Sequence, residues 1–237
     1  MISIIDWAGV SSDDLRIRIE RYPARILPER SQTMTEVPGR NGGLLIVDGN
    51  FKNYTQDYEV FISAERSGLV RAARAVAEWL ESPVGYQRLE DSYEPDIYRE
   101  AYYAGGGDIE SILNRFGRAT ISFNCKPQRY LKSGEVSKTF SAAGALTNVT
   151  KFDALPVLTV YGSGAGSVTV GDRTVTISAI DEYVVLDCEL QDAYKGTVNK
   201  NGTVTLTEFP VLTAGENAIS FAGGVTSVDI VPHWWTI

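Results

Sequence analysis

Val37-Pro-Gly-Arg-Asn-Gly-Gly43, set inside the stretch from Ile26 to Tyr54, decides how the first part of this chain folds. A proline followed by three glycines and an asparagine is a dense turn signal, because these residues preset or tolerate the backbone angles of tight reversals. Asp48-Gly-Asn50 supplies a second turn signal, and only short strand candidates surround the two. The pattern predicts an extended hairpin or arm projecting from a core, with little of the stretch inside it.

Outward from the arm, Leu15-Arg-Ile-Arg-Ile19 alternates apolar and charged residues, as a strand with one solvated face does. Tyr58-Glu-Val-Phe-Ile62 predicts another strand. One helix is expected from about Ser67 to Leu80, with Leu69, Ala73, Val76, Ala77 and Leu80 as its apolar stripe. Ser67 is the expected N-cap, and Ser82-Pro83 stops the run. Further strands are expected near Gly85–Leu89, Tyr98–Tyr103 and Arg118–Cys125.

A boundary is expected within Leu131–Leu146, giving domains 1–133 and 134–237. Of the chain's 22 Lys and Arg, 17 precede the cut after Ser133 and 14 of those are Arg, whereas the remainder is poor in charge. Arg makes planar, bidentate contacts and is favoured at interfaces. The second part reads as continuous antiparallel β, with eight short strands: Pro156–Tyr161, Ser167–Val170, Arg173–Ile177, Tyr183–Asp187, Lys195–Val198, Thr203–Leu206, Ala218–Phe221 and Ser227–Ile230. Gly171-Asp172, Asn199-Lys-Asn-Gly202 and Gly162-Ser-Gly-Ala-Gly166 are expected as hairpin connections. That spacing predicts a mainly β chain ending in a two-sheet sandwich or jelly roll.

Chemistry is hard to place on this sequence. The net charge of −8 is a poor match for the basic face that nucleic acid requires. Two cysteines far apart, Cys125 and Cys188, argue against a disulfide framework or a thiolate zinc site. The single histidine, His233, sits beside Pro232 and Trp234 without a nucleophile signature, so no catalytic residue, metal or cofactor is expected. Asp187 and Glu189 could share a strand face as an acid pair, or serve as solvated edge residues. Trp234 and Trp235 could stack on a glycan, although neighbours on a strand face opposite sides. No apolar run approaches the roughly 20 residues that cross a bilayer, and no secretory signal opens the chain, so a soluble cytoplasmic product is expected.

The order of these motifs carries a resemblance. An N-terminal Ile-rich strand leads to Val37-Pro-Gly-Arg-Asn-Gly42 and Gly49-Asn-Phe-Lys-Asn-Tyr54; a strand and single helix then precede Phe123-Asn-Cys-Lys-Pro-Gln-Arg-Tyr130. A β-only part follows, with Asn148, Ala154-Leu-Pro-Val-Leu158, Leu186-Asp-Cys-Glu189, Phe209-Pro-Val-Leu212, Gly215-Glu-Asn217 and the Pro232-His-Trp-Trp235 ending. Together they resemble the distal tail protein (Dit) family of siphophages and prophages, over essentially the whole chain.

The resemblance implies a ring-forming, tail-tube-like β domain with one helix and a hairpin belt, followed by a peripheral galectin-like sandwich. It implies a structural, non-enzymatic protein: a hexameric ring at the distal end of a virion tail, made in the host cytoplasm. The ring would join the tail tube protein to a tail-tip protein and, in some phages, a receptor-binding protein. On that reading Pro38, Gly39, Arg40, Asn41 and Gly42 are the subunit-interface candidates. A carbohydrate-binding adhesion module and a tail tube subunit are the competing readings.

Overall fold

The structure, a computed structural model, describes residues 3–64, 68–105, 109–113 and 116–237, with the backbone alone for 109–113. The chain divides into two compact units, Met1–Arg129 with Ile237, and Tyr130–Thr236. The division falls a few residues before Ser133, inside a strand, where no turn signal marks it.

The first unit contains β1 (Ile5–Trp7), β2 (Val10–Ser11), β3 (Ile17–Ile19), β4 (Arg30–Thr35), β5 (Leu44–Phe51) and β6 (Tyr54–Ser63). Helix α1 (Leu69–Glu81) follows, then β7 (Gln87–Asp91), β8 (Ile97–Tyr103), β9 (Ile109–Leu113) and β10 (Phe116–Leu131). The main sheet runs in the order β2-β1-β7-β8-β10-β6-β3, with β9 on β10, while β4 and β5 form a separate two-stranded ribbon. Tyr54, Gln56, Tyr58, Val60 and Ile62 of β6 are buried and alternate with more exposed residues, the period of a strand with one covered face.

Helix α1 covers that face. Its buried residues are Leu69, Val76, Trp79 and Leu80, with Ala72 partly buried beside them. The expected stripe was rotated from this: Ala77 is exposed, and the missed Trp79 fills the core. The spacing 69, 72, 76, 79, 80 keeps the helical period while burying the larger ring. The expected cap, Ser67, lies outside the described residues. The helix starts after Gly68, at φ 77°, and closes where the Ser82 N–H donates to Glu78 O.

The second unit contains β11 (Lys138–Phe140), β12 (Gly144–Asn148), β13 (Val157–Val170), β14 (Arg173–Asp187), β15 (Asp192–Lys195), β16 (Val198–Asn199), β17 (Val204–Thr205), β18 (Gly215–Val231) and β19 (Trp235–Thr236). Six of the eight expected short strands are halves of three long ones, β13, β14 and β18. Gly162–Gly166 is therefore not a hairpin connection; it lies within β13, where the register shifts between Gly164 and Gly166.

Glycine permits the long strands because two backbones meet at that point. A Cβ on Gly162 would lie 2.1 Å from Gly224 O, and one on Gly224 would lie 1.8 Å from Ser163 O. Leu158 and Val160 before the bend share one core with Val168 and Val170 after it. The strands therefore curl, and each contributes both of its halves to the same interior.

Two further expectations change. Lys195–Val198 is the turn between β15 and β16, with Gly196 at φ 58°. Asn199–Gly202 leads into a single 3₁₀ turn, Asn201–Thr203, and the strands on either side pair with β15 and β14 instead of with each other. Gly171-Asp172 does connect β13 to β14 as a hairpin.

Candidate functional site: the projecting ribbon and its root

Strands β4 and β5 pair in the register Gln32↔Val47, Thr33↔Ile46, Met34↔Leu45 and Thr35↔Leu44. Successive strand residues point to opposite faces, so Met34, Leu45 and Val47 share one face with Gln32, and Leu44 and Ile46 share the other with Thr33 and Thr35. Every residue from 32 to 50 is exposed; Met34 is 69% accessible and Leu44–Val47 are 44% to 51% accessible. An isolated two-stranded ribbon is marginal in water, and one apolar on both faces is more so.

Asp48-Gly49-Asn50 is not a turn. It bulges from β5 opposite Ser31, between the pairs Gln32↔Val47 and Arg30↔Phe51. Gly49 takes φ 84°, and Ser31 Oγ donates to Asp48 Oδ2 at 2.6 Å. The extra residues bend the ribbon near its root.

The sequence-selected residues Pro38, Gly39, Arg40, Asn41 and Gly42 form the ribbon tip. All five are exposed, Gly39 and Gly42 have φ of 80° and 83°, and the Arg40 N–H donates to Val37 O at 3.1 Å. The Arg40 guanidinium makes no hydrogen bond or ion pair among the described residues.

At the root, residues 20–29 leave β3 without regular structure and are held from below. Gln56 Nε2 donates to Ala24 O at 3.1 Å, and Arg129 Nη2 donates to Ile26 O at 2.6 Å. Arg25 Nη1 donates to Glu94 Oε1 at 2.6 Å, and Tyr22 meets Tyr93 edge-on at 4.5 Å. The Lys52 N–H donates to Glu29 O at 2.8 Å and closes the root.

These contacts join a buried polar network that sequence reading missed. Asp91 Oδ1 accepts the N–H groups of Tyr93 and Glu94, and its Oδ2 accepts Tyr58 OH at 2.8 Å and Arg99 Nη1 at 2.9 Å. Arg99 also pairs with Glu94. Arg99 and Arg129 are 2% and 0% exposed. Burial lowers the Arg129 pKa and raises that of Tyr58 well above the usual phenol value. A signal did exist: Arg99 sits in register between buried Ile97 and Ala101, and Arg129 keeps the parity of buried Ile121, Phe123 and Cys125.

The other residues singled out in the sequence do not converge. Asp187 Oδ1 accepts the N–H groups of Glu189 and Leu190, so it shapes a turn in which Glu189 is exposed. The His233 N–H donates to Gly134 O at 2.9 Å. Trp234 is buried in the second core, while Trp235 is half-buried, stacked on Phe152 at 4.4 Å, with Nε1 donating to Asp153 O. The two indoles do not form a shared platform.

Residues 17–125 match the family of the phage tail protein RIFT-related domain. No curated protein sequence matches the chain significantly. The fold is similar to the crystal structure of the Dit protein of phage SPP1, with a TM-score of 0.81 and 12% identity over all of both chains. That protein is described as a paradigm of the hub adsorption apparatus in phages infecting Gram-positive bacteria. The fold that the motif order implies is thus matched over the whole chain, and a phage tail domain model is matched over residues 17–125.

Proposed function

We propose that this chain, whose residues 17–125 carry a phage tail domain, is the ring-forming distal tail hub of a long-tailed phage. The observation that carries the reading is the bare ribbon. Leu44–Val47 and Met34 leave both of its faces apolar, and no described residue of the same chain covers them. In this reading each ribbon lies on the next of six copies. Such head-to-tail contacts are heterologous, and they close into a ring when the rotation allows it. The ring would dock on the tail tube protein at one side and a tail-tip protein at the other, with a receptor-binding protein as a third partner in some virions. A structural role without turnover accords with acids and a histidine that shape turns and with cysteines that are buried.

The test is assembly. Deleting Pro38–Gly43, or replacing Leu45 and Val47 together by Glu, should leave a folded monomer under conditions where the intact chain forms a ring by light scattering. A ring of full mass from either variant would refute the reading.

A further inference from the structure

We infer that Arg129 and Gln56 are positioning residues that fix the direction in which the ribbon leaves the core. Removing charge from water is costly, and a buried ionic cluster adds little net stability over a well-packed apolar one. Yet this unit buries Arg99, Arg129 and Asp91 together at the end of the sheet where the ribbon root passes. What the cluster adds is direction. Residues 24–26 belong to no strand, and donors from two strands of the sheet seize their carbonyls: Gln56 from β6 takes Ala24 O, and Arg129 from β10 takes Ile26 O.

The rest of the cluster holds Arg129 in place, while Gln56 Nε2 also donates to Asp57 O at 3.3 Å. Glu94 bonds both Arg25 and Arg99, and its Oε2 lies 4.0 Å from Arg129 Nε. The Arg129 guanidinium also stands over the Tyr54 ring, with Cζ 5.1 Å from the centroid. Arg129 Nε and Nη1 are buried without a hydrogen bond. An arginine spending one donor nitrogen on a loop carbonyl, with two that make no hydrogen bond, is poorly explained by the stability of the core. It is explained by the need to hold that loop. A ribbon that swings freely must lose that freedom on meeting its neighbour, whereas a fixed one has already lost it.

This inference rests on the ring reading for its consequence but not for its test. Spin labels at Glu29→Cys, on the root, and Glu81→Cys, at the end of α1, report the root against the core; native Cys125 and Cys188 are buried and do not compete. The monomer should give one narrow distance distribution. Arg129→Met should raise a broad second population about tenfold or more, as loss of a charged hydrogen bond allows. Arg129→Lys, which keeps one donor, should restore much of the narrow peak, and the concentration for half-assembly should move with the broad fraction. An unchanged distribution in a folded Arg129→Met chain overturns the inference, as does failure of Lys to rescue. If Arg129→Met does not fold, Gln56→Met decides by the same distances. A chain lacking Pro38–Gly43 that still forms rings refutes the ring reading alone and leaves the distances to judge the anchor.

Discussion

Cys125 and Cys188 show how burial, the largest of several influences, sets a residue's chemistry. Burial pushes the Cys125 thiol up to about 12 from an ordinary 9.0, with Arg99 and Arg129 pulling weakly the other way. Cys188 is raised as well, first by burial and then by the Asp187 carboxylate. A folded-state pKa above the unfolded value means that the folded state holds its proton longer. The stabilisation is therefore complete below about pH 9 and is lost as pH rises toward 12. Urea unfolding should show a decline on the order of 1 kcal/mol per pH unit for each thiol above pH 9. The Cys125→Ala, Cys188→Ala double variant should flatten that decline between pH 9 and 10. At neutral pH neither thiol should react with iodoacetamide until the chain unfolds.

At the scale of elements, one helix and one bend carry most of the information. Trp79→Ala should cost about 3–5 kcal/mol in chemical denaturation, since it empties the first core. Ala77→Lys, on the stripe expected from sequence but exposed in the structure, should stay within about 0.5 kcal/mol of the parent. Equal losses from both would restore the original helical face. In the second unit, Gly224→Ala must push a methyl into the Ser163 carbonyl from 1.8 Å, which neither backbone can escape without opening the sheet. A loss of about 3 kcal/mol or more is expected there. Gly202→Ala, which meets nothing within 4 Å, should be close to neutral. The short apolar runs on either side of Gly162–Gly166 look like separate strands because side-chain alternation lapses where the backbones touch.

For the molecule as a whole, two separate cores account for the fold, and the ribbon stands outside both. The ribbon contributes nothing to either core, so its apolar residues are stabilising only when another surface covers them. Anything that binds the folded state raises its apparent stability with concentration. On the proposed ring reading, the melting temperature of the intact chain should rise with its concentration, and that of the Leu45→Glu, Val47→Glu chain should stay constant. A parallel rise in both would place ring closure on some other surface.

Local chemistry sufficed for the β class, helix α1 and the hairpin at Val37–Gly43, because turn residues and apolar periodicity act over a few positions. Three things were left to the tertiary structure. It decided which face of α1 is buried, since Trp79 outweighs Ala77 only when a sheet lies opposite. It turned six short strands into three long ones, since the fit of Gly162 against Gly224 exists only when β13 and β18 are paired. It also gathered Gln56, Asp91, Glu94, Arg99 and Arg129 around the ribbon root, a meeting that strand pairing creates among residues far apart in the chain.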